Sequence, residues 1–130
     1  MTPILVGFAA ANSREHGRAS GALLTAAVVL GWWRRVEMAL TYYTVAYHGK
    51  RTRTAALAEE QLSVDGRVSS GCIRGLRALR LVRNKVAHQC ERVSSDAAIL
   101  FATDALDLIW EMGDSVPDDL AISSGAAGYV

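Results

Sequence analysis

Apolar residues recur along this chain at spacings of three and four, the period of a helix with one buried face. The longest run predicts a helix from about Arg14 to His48. Its stripe is Val29, Trp33, Val36, Leu40, Tyr43 and Tyr47, with Arg34, Arg35 and Glu37 off it. Gly31 is where this helix is expected to break or shift, and Gly49 is a natural stop. An aromatic stripe of this kind predicts a core or a dimer interface. A short helix of about residues 55 to 63 follows, capped by Thr54, with Ala55, Ala56, Leu57 and Leu62 as its apolar residues. Val64-Asp65-Gly66 reads as a turn. Ser69 or Ser70 opens a third helix with the stripe Cys72, Leu76, Leu79, Val82 and Val86. Arg74, Arg77 and Lys85 lie outside that stripe. After Arg92, the pair Ser94-Ser95 caps a last helix, about Asp96 to Met112, ended by Gly113. Its face is Ile99, Ala102, Leu106 and Ile109, widened by Phe101, Ala105 and Leu108.

The two ends lack this pattern. Residues 1 to 12 are apolar without clear periodicity, and Pro3 and Gly7 discourage a long helix. Such an arm needs cover and is expected to pack on the domain or across a dimer partner. Ser13 is a candidate N-cap, with Glu15 a favourable charge beside it. Residues 115 to 130, with Ser123-Ser124, Gly125 and Gly128, read as a loose tail. The expected architecture is therefore all-α, a bundle of four to five helices in one domain over residues 1 to 114.

Composition agrees. Hydrophobic residues are 51% and charged residues 21% of 130, and prolines number two. That describes one globular helical domain. The uncharged run from Ala19 to Trp33 is 15 residues, short for a membrane span. Met1 to Ser13 has no basic leading region of the kind a secretory signal carries. Cys72 and Cys90 make neither a disulfide framework nor a zinc site. Free thiols in a cytoplasmic protein are the simplest reading.

The net charge of +1 hides a strong segregation. Residues 67 to 92 hold Arg67, Arg74, Arg77, Arg80, Arg83, Lys85 and Arg92 against Glu91, a balance of +6. Residues 93 to 130 hold Asp96, Asp104, Asp107, Glu111, Asp114, Asp118 and Asp119 with no Lys or Arg, a balance of −7. The basic helix is either the complement of its acidic neighbour or a strip for a polyanion. The cluster Lys50, Arg51 and Arg53 is likewise either a solvated connection or an RNA backbone contact. The stripe Asp104, Asp107, Glu111 and Asp114 extends over about 15 Å of helix, too far to share one ion. No metal or other cofactor is called for, and no Gly-rich phosphate loop is present.

Chemistry concentrates at Arg83-Asn84-Lys85-Val86-Ala87-His88. Arg83 offers a permanently charged, planar fork of donors suited to phosphate. His88 takes or gives a proton near neutral pH. This stretch resembles the signature of the HEPN superfamily: an Arg, a polar residue that is often Asn, and a His four to six residues after the Arg. A preceding Leu/Arg-rich helix and a following helix opened by Ser94, Ser95 and Asp96 extend the likeness over residues 57 to 113. Before that only length and helical character correspond. A toxin branch of the family carries Tyr two residues after the His. Here that position is Cys90, so the resemblance does not reach that branch's tyrosine modification.

The resemblance implies a metal-independent endoribonuclease, a toxin or phage-defence component, working as a homodimer with two motifs in one cleft. His88 would be general base or acid, Arg83 the phosphate clamp, and Asn84 an orienting group for His88 or the phosphate. Arg77, Arg80, Lys85, Lys50, Arg51 and Arg53 would contact RNA. A cognate antitoxin, nucleotidyltransferase-like or other, would be the partner. The alternative is a non-catalytic HEPN-like module binding a nucleotide or a protein, with Arg83 and His88 holding structure. Five helical steps turn about 140°, so Arg83 and His88 would not share a face of one straight helix. A bend, a helix end or a second chain is needed to bring them together.

Overall fold

A computed structural model of the protein describes residues 14–89 and 92–116, with residues 14–20, 22 and 23 described by backbone alone. The N-terminal arm, the Ser13 cap, Cys90 and residues 117 to 130 of the expected tail lie outside the described residues. The described part is all helix and loop, with no strand. It comprises α1 (Arg14–His48), α2 (Ala55–Asp65), α3 (Ser70–His88) and α4 (Ser95–Asp114). No helix among the described residues is long and apolar enough to cross a membrane.

The starts of α2, α3 and α4 are each set by a side chain. Thr54, Ser69 and Ser94 are extended N-caps whose hydroxyls accept from the amides of Leu57, Cys72 and Ala97. Gly66 ends α2 in the left-handed region, at φ 66°, where a Cβ would be strained. α2 therefore runs to Asp65, two residues beyond its expected end. Gly31 neither breaks nor shifts α1: it faces open space on a continuous 35-residue helix. Packing of the stripe on both sides of it outweighs the roughly 1 kcal/mol propensity cost of a single glycine. Gly113 likewise sits inside α4, which continues to Asp114 and is capped by Ser115.

Pairing contacts fix the topology. Thr25 Oγ1 donates to the Val93 carbonyl at 2.8 Å, and the Tyr47 hydroxyl donates to the Ser115 carbonyl. α1 and α4 thus run parallel, and they pack more extensively than any other pair. α3 runs antiparallel to α4: Ser69 at its start meets Glu111, and Gly75 packs on Leu108. α2 follows the direction of α1, with its start near Thr41 and Asp65 at its end bonded to Tyr43 and His48.

The core takes the whole expected α1 stripe from Val29 to Tyr43, with Tyr47 packed at its edge. α4 buries Phe101, Ala105 and Leu108, expected only as the widening of its face, together with Ala98 and Met112, while Ile99, Ala102 and Ile109 of the expected central line are only partly buried. That face lies one residue round the helix. Leu108 packs on Gly75 of α3, and all five buried residues belong to the core cluster. Leu106 is left 43% exposed. On α2 the buried residues are Ala58, Glu59 and Leu62, and Leu57 is exposed. Val116, placed in the tail by sequence, is buried in the core.

Candidate functional site

The buried stripe of α3 is Cys72, Ile73, Leu76, Leu79 and Val86. Val82, expected within it, is 40% exposed. The vacant step in the spacing falls to Arg83: Cys72, Leu76, Leu79, Arg83 and Val86 follow each other by four, three, four and three. Arg83 therefore occupies a core-facing register on its helix and is only partly accessible. Its Nη1 donates to Asn84 Oδ1 at 3.1 Å. Its Nε is fully buried with no hydrogen-bond partner. Buried donors are nearly always satisfied, so this one marks a group held against its own preference.

His88 is the last residue of α3, exposed, and makes no hydrogen bond among the described residues. Helix α3 continues unbroken to it, so within one chain the five-residue step from Arg83 still turns about 140°. Asn84 turns its amide to Arg83, not to His88. The motif of one chain thus supplies a held guanidinium and, separately, a free imidazole at a helix end.

The basic residues divide into two groups. Arg74, Arg77 and Lys85 are exposed, and none forms an ion pair among the described residues. Arg80 is committed elsewhere: its Nε lies 2.6 Å from Oε2 of Glu59, whose side chain is 3% exposed. It is the counter-charge of a buried carboxylate and has little left to offer RNA. The acidic face of α4 does not neutralise the arginines. Its link to α3 is Glu111, which accepts from the Ser69 amide at 2.7 Å and from the Ser69 hydroxyl at 3.2 Å. A carboxylate there complements the positive end of α3. Lys50, Arg51 and Arg53 are exposed on the connection from α1 to α2 and line two openings beside it.

A network that sequence reading passed over closes the other end of the bundle. Tyr43 donates to Asp65 Oδ2 at 2.5 Å, and His48 Nε2 lies 2.7 Å from the same oxygen. Arg67 stacks over Tyr47 at 3.8 Å. Burial, reinforced by the Asp65 hydrogen bond, pushes the Tyr43 hydroxyl well above the ordinary phenol range. Burial pushes Asp65 up, but the hydrogen bonds with Tyr43 and His48 outweigh it and hold the carboxyl below its usual range. Cys72 is a buried free thiol, pushed up to about 12 by burial and by Glu111. It is inert as a nucleophile. No group of three or more His, Cys, Asp or Glu among the described residues is placed to hold a metal ion.

Glu59 was invisible as a core residue because a glutamate on a short helix defaults to the surface. Its partner lies 21 residues away. Family models, curated proteins and solved structures yield no match to this chain.

Proposed function

We propose that the protein is a metal-independent endoribonuclease of HEPN type, cleaving RNA in a cleft shared by two copies of the chain. The observation that carries the reading is the contrast within the motif. Arg83 is held in a core register with an unsatisfied buried Nε, while His88 is exposed and unbonded. A structural histidine in a non-catalytic module would be buried and bonded. An inward arginine with a spare donor is poorly explained by packing alone.

The continuous helix separates the two side chains within one chain, so the reaction draws them from different copies. His88 accepts the ribose 2′-hydroxyl proton as that oxygen attacks the phosphorus. The 5′-oxygen leaves with a proton supplied by the second copy's histidine. Products are a 2′,3′-cyclic phosphate and a 5′-hydroxyl. Arg83 steadies the charge growing on the phosphate oxygens. Asn84 fixes the plane of Arg83, a role narrower than orienting His88. Leu81, Val82, Leu100 and Trp110 are exposed apolar residues on α3 and α4, surface that a second copy would cover. A toxin or phage-defence role in the cytoplasm, with a cognate antitoxin, follows from the same resemblance.

The test is His88→Ala, measured for both cleavage and melting. Loss of cleavage with an unchanged melting temperature and an intact dimer supports the nuclease. Wild-type protein that cleaves no RNA, or that sediments as a monomer at micromolar concentration, overturns it.

A further inference from the structure

The connection from α1 to α2 carries three cations in four residues, Lys50, Arg51 and Arg53. It crosses the bundle beside a cavity of about 260 Å³ lined by Arg34, Arg51 and Arg53. Glu37 is the one acidic residue lining it. Neither Glu37 nor any other carboxylate among the described residues pairs with those guanidinium groups. On its other side the same connection borders an open groove of about 660 Å³ that adds Lys50, with Glu60 as the acidic residue. Thr52 Oγ1 donates to the Thr54 carbonyl at 3.0 Å, which holds the connection in place. Three guanidinium groups round one hollow outnumber its single carboxylate, which pairs with none of them, so they repel one another, and a bound anion relieves that repulsion.

The position is informative. Arg80 meets Glu59, and from that contact Arg83 lies about 4.5 Å further along α3 while Ala55 lies about 6 Å along α2 in the same direction. Arg83 is therefore level with the first turn of α2, whose Ala55 and Ala58 line the cavity. The cavity is smaller than the roughly 300–1,000 Å³ that encloses a drug-sized ligand. It suits one phosphate group, with the open groove beyond for the continuing chain.

We infer that Arg34, Arg51 and Arg53 form a substrate-anchoring subsite for a backbone phosphate of single-stranded RNA, at the level of the bundle where Arg83 holds the scissile one. This rests on the nuclease reading for its purpose but on separate residues for its chemistry. Arginine forks match phosphate oxygens two at a time.

The experiment measures anisotropy of a short fluorescein-labelled single-stranded RNA against full-length His88→Ala protein, which cannot consume the probe. The triple change Arg34→Ala/Arg51→Ala/Arg53→Ala is added, and salt is varied. Each phosphate contact on a single strand contributes about 0.7 to the slope of log affinity on log salt, so losing three flattens it by about 2. Between about 50 and 200 mM salt, the parent's advantage over the triple variant then shrinks roughly 15- to 20-fold. All three residues are exposed, so melting should not move. The matching triple lysine variant keeps the slope and loses only part of the affinity. An unchanged slope in the alanine variant, or a parent that binds no RNA, overturns the subsite. Wild-type cleavage is scored separately. Cleavage with an unchanged slope sinks the subsite alone, and a flattened slope without cleavage sinks the nuclease alone.

Discussion

Replacing Arg83 by Met should make the protein more stable and inactive. The position faces the core, and the Nε there is buried without a partner. An unsatisfied buried donor costs about 1–3 kcal/mol, and a charged one sits at the upper part of that range. Met follows the aliphatic path of the arginine stem, so it leaves no large cavity. What is lost is the 3.1 Å bond to Asn84, about 0.5–1.5 kcal/mol. Asn84 is partly exposed and regains water. The balance is a gain of about 1 kcal/mol, or roughly 3–5 °C in Tm for a domain of this size. Urea unfolding followed by circular dichroism gives the midpoint, and the same preparation is assayed for RNA cleavage. A rise in the midpoint with loss of cleavage identifies an arginine kept for chemistry at the expense of the fold. Arg83→Met that loses more than about 1 kcal/mol would refute this, since the guanidinium would then be a structural group. Arg83→Lys should restore little activity, because an ammonium lacks the fork.

Three further outcomes are expected. Arg80→Ala leaves the Glu59 carboxylate buried and unpaired and should cost about 3 kcal/mol in urea unfolding; Arg80→Met with Glu59→Leu should recover most of it. Asp65 has a folded-state pKa below its ordinary value, so its stabilising contribution is full above that ordinary value, about 3.9, and is lost as pH falls through the lowered one. Melting temperature in acid should therefore fall more steeply for the wild type than for Asp65→Asn. Gly75→Ala places a Cβ 3.0 Å from Leu108 Cδ2, a flexible tip, and its strain should nearly cancel the helix propensity gained; Gly75→Val should cost about 1–3 kcal/mol by thermal melting.

The α1 stripe was legible because large aromatic and branched residues mark one face over five turns, and no polar residue interrupts it. Helix starts were legible at Thr54, Ser69 and Ser94, where a short hydroxyl side chain bonds locally and needs no tertiary partner. The phase of α4 was not. Its apolar surface is wider than one face, and only contact with two neighbours decides which line lies deepest. On α3 the pattern was misphased at one step. Periodicity counts apolar letters, so it admits Val82 to the stripe and omits Arg83, although 4-3-4-3 spacing favours Arg83. Glu59 and Arg80 illustrate the same blindness: each is unremarkable alone, and their pairing exists only once α2 and α3 are antiparallel. Residue type and spacing single out Arg83 and His88 as candidates, and their placement, one turned inward and one exposed at a helix end, is what tertiary structure adds. The Arg83–Asn84 bond depended on rotamers that sequence does not encode directly.

The two hydrogen bonds that tie α1 to α4 bear on how this molecule adapts to a ligand. Thr25 and Tyr47 stand 22 residues apart on α1, about 33 Å along its axis, and each reaches a backbone carbonyl just beyond one end of α4. A rod bolted at both ends has no axial slip: moving α1 past α4 by one turn, about 5.4 Å, breaks both bolts at once. The pair is tied against axial sliding at both ends. On the proposed RNA reading, adjustment to a strand is left to what hangs from it, the connection between α1 and α2 and the last turn of α3, which ends at His88. Recognition by this fold is then a matter of side chains and one connection moving over a fixed frame, and binding should leave amide exchange along α1 and α4 almost unchanged.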